Sequence, residues 1–135
     1  MHLEQPQPTN LPPKVWSTTG RAKPFGYWQE TVSQAYTALS PEPIDQGPFH
    51  GQIELFELAR DASISSIRAG AQVVRRTPQD IKLRTCEAVF VNFQRTGQST
   101  ISQRGIEAKI DAGSLVLLDA TEPFAMKFDR SFEQA

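Results

Sequence analysis

From residue 51 onward the chain runs in short apolar–polar segments separated by turn-forming residues. The spacing predicts strands over 52–60, 62–69, 71–77, 87–95, 98–104, 106–110, 114–119 and 123–129. In the stretch STISQRGIEAKI the turn falls at Arg104-Gly105. There Ile106, Ala108 and Ile110 alternate with Glu107 and Lys109, the pattern of a strand with one wet face. Leu115, Val116, Leu117 and Leu118 are consecutive and all apolar, which predicts a strand covered on both faces. About eight strands at this spacing imply a mainly β sandwich or small barrel.

Before residue 51 the period changes. Phe25, Trp28, Val32, Ala35, Tyr36 and Leu39 fall on one helical face. Pro24 suits a first helical turn, and Pro41 with Pro43 should end the helix. An N-terminal amphipathic helix packed on the β-structure is therefore expected, with Trp28 and Tyr36 read as packing residues. Residues 1–14 hold four prolines and little that could pack, so they read as an extended or disordered arm. The domain itself is expected over 15–135.

Length supports one domain. Fourteen Lys and Arg against fifteen Asp and Glu give a net charge of −1, no surplus for gripping a phosphate backbone. The densest basic spot is Arg75-Arg76. A single cysteine, Cys86, excludes an intramolecular disulfide framework, and no apolar run nears the ~20 residues of a membrane span. A cytoplasmic protein with no membrane partner is expected. The serines at 63, 65, 66, 99 and 102 lack a nucleophile-elbow context, and Cys86 reads as structural. Glu54, Glu57 and Asp61 read as a solvated face. With His2 and His50 the only histidines, no transition-metal ligand set assembles, and no cofactor is expected.

The order of a helix with YW, then PFHG, VVRRTP, a strand ending at Gly97, QRG, AGSLVLLD and EPF resembles a known family. It is similar to the N-terminal ligand-binding domain of AraC/XylS-type bacterial transcription regulators, over roughly residues 15 to 135. Ser114 departs from the aspartate this family favours after the glycine. The resemblance implies a cupin-like β-barrel, or double-stranded β-sandwich, that binds a small effector and forms a homodimer. It also implies a helix-turn-helix DNA-binding domain following in the same polypeptide. No such domain is in this chain, which is expected to be the sensor half, contacting DNA only through the missing half.

Cupin enzymes hold a metal with a His-x-His pair, a glutamate and a later histidine. By that spacing Phe90 takes the glutamate's place, Phe124 the last histidine's, and VVRRT the His-x-His strand. The register implied by the resemblance turns Phe90, Asn92 and Gln94 inward. Val89, Val91 and Phe93 then point outward beneath a covering element. Strand alternation sends one of Arg75 and Arg76 inward, Arg76 being favoured. That arginine would either bind a carboxylate-bearing effector, or cap a loop carbonyl or pair with Asp119. The expected ligand-binding set is thus Arg75 or Arg76 with Phe90, Asn92, Gln94 and Phe124. Two rival readings remain: a metal-free cupin isomerase or lyase, and an interaction barrel filled by its own side chains.

Overall fold

The structure, a computed structural model, describes residues 12–18 and 25–135. Eleven strands and two helices follow in the order β1 (Lys14–Ser17), α1 (Phe25–Ala35), β2 (Ser40–Pro43), β3 (Gly51–Ala59), β4 (Ala62–Ala69), β5 (Gln72–Arg76), α2 (Pro78–Leu83), β6 (Val89–Thr96), β7 (Ser99–Gln103), β8 (Ile106–Ile110), β9 (Leu115–Asp119), β10 (Phe124–Phe128) and β11 (Phe132–Gln134). They form a six-stranded sheet, β1-β3-β4-β11-β6-β9, and a five-stranded sheet, β2-β5-β10-β7-β8. This is the expected mainly β sandwich. All eight anticipated strands are present, while β1, β2, β11 and α2 were not anticipated.

The sheets face each other over a shared apolar core. Ile53, Leu118 and Phe132 come from one sheet, and Val74, Ile101, Phe124 and Phe128 from the other. The Phe128 and Phe132 rings stack 3.6 Å apart across it. Each buried side chain of this kind contributes ~1.5–3 kcal/mol. The β7–β8 hairpin turns at Arg104 (φ 56°) and Gly105 (φ 73°), the pair of positive angles a two-residue hairpin matched to strand twist requires. Arg104 tolerates that backbone while its guanidinium binds Glu122 and Asp119.

α1 rests against β2 of one sheet and β3 of the other. It starts at Phe25 and buries Trp28, Thr31 and Val32. Pro24 and residues 1–11 of the anticipated arm lie outside the described residues, and Lys14 already belongs to β1. The helix ends at Ala35 rather than Leu39. Long-range bonds hold carbonyls at its end: Arg84 Nη1 donates to Ser33 O at 2.9 Å, and Arg76 Nη1 to Ala38 O at 2.8 Å. Pro41 and Pro43 do more than stop the helix. They form β2, an edge strand on β5, where a missing N–H is tolerated.

Three expectations about strand faces need correction. Leu115 and Leu117 are exposed, so β9 is covered on its Leu118 side only. On β6, Val89, Val91 and Phe93 do point outward, but no described element covers them. On β8, an edge strand, only Ile110 is buried, so its expected dry face is largely exposed.

Candidate functional site

A cavity of about 70 Å³ lies inside the sandwich, walled by both sheets and by α1 with the segment after it. Its polar groups come from few positions. Strand alternation on β5 turns Gln72, Val74 and Arg76 inward, and Gln72 and Val74 reach the cavity. On β6 the same alternation brings in Phe90 and Asn92. The hairpin partner of Leu55, Ser65, enters from β4 and meets Tyr36. Phe124 and Met126 come from β10.

Of the anticipated residues, Phe90, Asn92 and Phe124 therefore line one cavity. The Phe90 and Phe124 rings meet edge to face at 6.4 Å, where a cupin metal would need a carboxylate and an imidazole. Two hydrocarbon rings cannot ligate a metal, and among the described residues no three His, Cys, Asp or Glu side chains converge.

The other three lie elsewhere. Gln94 is buried, but its amide is used within the protein: it accepts from Gln134 Nε2 at 2.8 Å and Ser99 Oγ at 3.2 Å, and donates to Thr96 O at 2.8 Å. Arg75 points out and pairs with Glu42 at 2.8 Å. Arg76 turns inward and is 1% exposed, yet it does not reach the cavity. Its Nε donates to Ala120 O at 2.7 Å, Nη1 to Ala38 O at 2.8 Å and Nη2 to Arg84 O at 2.8 Å. Of the three roles open to it, capping loop carbonyls is the one the geometry realises. A carboxylate in the cavity would thus meet neither arginine.

The rest of the wall was missed, including the polar side chains of Tyr36, Ser65, Gln72 and Gln134. Gln72 was legible, because the alternation that turns Arg76 inward does the same two and four positions earlier. Tyr36 was read as packing alone. Its hydroxyl sits 2.9 Å from Ser65 Oγ, and burial, partly offset by that bond, pushes its pKa upward, so the wall stays uncharged at neutral pH. Among the described residues lining the cavity, no side chain carries a formal charge.

The sequence from residue 28 to 135 matches the model of the AraC-binding-like domain. The chain belongs to that family. An uncharacterised protein encoded in the nit 5′ region of Bacillus sp. (strain OxB-1) is 29% identical over 110 residues, 82% of this chain and 42% of that protein. The crystal structure of the AraC-like transcriptional activator CuxR shares the fold, with TM-score 0.79 at 12% identity over 90% of this chain and 45% of that one. A cupin superfamily protein from Desulfitobacterium hafniense is similar at TM-score 0.40 and 8% identity, over 71% of this chain and 72% of that one. The AraC-binding-like chain described here thus spans less than half the length of the first two proteins. Among its described residues no helix is long and apolar enough to cross a membrane.

Proposed function

We propose that this AraC-binding-like domain senses a small-molecule effector in the cavity between its sheets, as part of a cytoplasmic AraC-type transcription regulator. The observation that carries this reading is a wall shared by both sheets and by α1, whose Val32 faces the ligand space with Tyr36 and Leu39 just beyond the helix. A ligand there would favour one placement of α1 over another, a population shift that a DNA-binding domain elsewhere in the regulator would read. DNA contact belongs to that other domain, since a net charge of −1 gives this one no grip on phosphates. An enzymatic role finds little support in the wall, where Tyr36 is the titratable side chain and no acid–base pair converges.

The test is a melting-shift screen of small molecules with tryptophan fluorescence as second readout. An effector at about 100 times its Kd should add ~2.7 kcal/mol of stability. That corresponds to a rise of roughly 10 °C for a chain of this size. Val74→Phe, which fills the cavity from β5, should fold and lose the shift. A variant that retains it would place the ligand elsewhere.

Homodimerisation is part of the same proposal. Val91 opposes Leu117 and Phe93 opposes Leu115 across β6 and β9, giving an outward apolar stripe beside an edge strand. Antiparallel pairing of two β9 edges about a two-fold axis would join two such stripes. The Asp119 end of β9 is already tied to β7, through the Gln103 amide. Leu117 is 66% exposed and Val91 57%, so Val91→Glu with Leu117→Lys should leave melting of the monomer within ~0.5 kcal/mol. Sedimentation at micromolar concentration should show dimers of the parent and monomers of the variant. A monomeric parent would remove the dimer from the proposal.

A further inference from the structure

Gln72 is 0% exposed, and its amide is oriented by a partner that leaves no choice. Trp28 Nε1 can only donate, and it lies 2.9 Å from Gln72 Oε1. The amide nitrogen must therefore point the other way, and Gln72 Nε2 has no hydrogen-bond partner. Thr37 Oγ1 is the other unpartnered buried polar atom among the described residues, but Thr37 does not line the cavity. Gln72 does. A buried donor left without an acceptor is uncommon in folded proteins and calls for one.

The neighbouring polar groups narrow what the acceptor can be. Tyr36 and Ser65 hydroxyls bond each other at 2.9 Å. Asn92 Nδ2 has only Met126 Sδ at 3.3 Å, a weak acceptor it would readily exchange for an oxygen. Gln134 also lines the cavity, its Nε2 already given to Gln94, so Gln72 and Asn92 are the wall's amide N–H groups still to be matched, with no cationic side chain to meet an anion. An unpaired carboxylate would lose its hydration for at most two neutral donors. A hydrocarbon would leave Gln72 Nε2 unsatisfied.

Building on the reading that the cavity holds the effector, we propose that the effector is an uncharged, mostly apolar small molecule bearing a carbonyl-type acceptor, seated on Gln72 Nε2. Asn92 Nδ2 offers a second donor. The volume of about 70 Å³ is roughly half that of a cavity that admits benzene. A ligand of about three or four heavy atoms matches that volume, larger ones must widen it, and Gln72, 0% exposed, has to shift to meet either. Gln72 also links ligand to helix, because the amide that donates to the carbonyl accepts from Trp28 of α1.

The experiment compares three classes of probe: the carbonyl compounds isobutyramide and cyclohexanone, the anions isobutyrate and cyclohexanecarboxylate, and the hydrocarbon cyclohexane. Each is titrated against the intact chain with melting shift and tryptophan fluorescence as readouts. The carbonyl probes should bind at least about tenfold more tightly than their carboxylate and hydrocarbon counterparts, the worth of one net hydrogen bond. Gln72→Met should reduce carbonyl affinity about tenfold and leave cyclohexane affinity within about twofold. Since Gln72→Met also removes the partner of Trp28, the comparison on the parent protein stands alone if that variant fails to fold. Tighter binding of the carboxylates, equal binding of cyclohexane, or a folded Gln72→Met that keeps its carbonyl affinity would overturn the ligand class while leaving an effector cavity in place. If no probe of any class binds, the cavity reading and the ligand class fall together.

Discussion

Replacing Arg76 with methionine is expected to lower the melting temperature by roughly 10–20 °C. The guanidinium has no acidic partner among the described residues; its three nitrogens each donate to a backbone carbonyl. Those carbonyls belong to the segment after α1, the end of α2 and the turn between β9 and β10, so one side chain joins three stretches to β5. Methionine matches much of the volume but leaves the acceptors without a donor. A buried acceptor so orphaned costs about 1–3 kcal/mol. With partial rehydration of Arg84 O, which is only part-buried, the sum is about 3–5 kcal/mol. For a chain of this length each kcal/mol moves the midpoint by roughly 3–5 °C. Arg76→Lys should recover only part, since an ammonium cannot span three divergent carbonyls as a planar fork does. Arg75→Met is the control: its pair with Glu42 is exposed and worth under ~1 kcal/mol. Thermal denaturation of the three variants decides the matter. A drop of less than about 2 °C for Arg76→Met would mean that water replaces the guanidinium and that Arg76 is no staple.

A smaller change at Gly51 should have a comparable effect. A Cβ built on Gly51 would lie 2.5 Å from the six-membered ring of Trp28, well inside contact distance. The indole cannot yield easily. It is 1% exposed, tilts against Phe49 at 5.3 Å, and is held by its bond to Gln72. Overpacking of this kind costs ~1–3 kcal/mol, and the rigid neighbour puts Gly51→Ala at the upper end. The expected loss is roughly 10 °C in melting temperature. Trp28→Phe alone should also destabilise, by removing buried area and leaving Gln72 Oε1 without its donor. In the double variant the two losses should add to less than their sum, because the smaller ring vacates the space the new methyl group needs. Strict additivity in that cycle would show that Gly51 and Trp28 do not press on each other. Gly51→Ala should also dull the fluorescence response to an effector, since it disturbs the residue that couples Gln72 to α1.

What could be read from the sequence was whatever depends on neighbours in the chain. Short apolar–polar segments between turn residues placed all eight anticipated strands, the resemblance supplied the inward side of β6, and a period near 3.6 found α1. Arg104-Gly105 marked the hairpin because a two-residue loop needs positive φ there. One local signal went unread: Thr77, Pro78 and Asp80 form a capping box with proline at the first helical position, which opens α2. The remaining misreadings have a common origin. An apolar run such as Leu115 to Leu118 states what a strand could bury, but only the stacking of sheets decides which faces are covered, and β9 stands at an edge. An inward arginine is legible by alternation, yet its partners Ala38 and Ala120 lie 38 and 44 positions away. No local pattern records that distance. So the chain by itself determined the β-architecture, the family and the uncharged pair of rings at Phe90 and Phe124. The tertiary structure alone decided that the buried charge of Arg76 serves the backbone. It alone gave the cavity its free donor at Gln72, because hydrogen bonds are settled where segments distant in sequence meet.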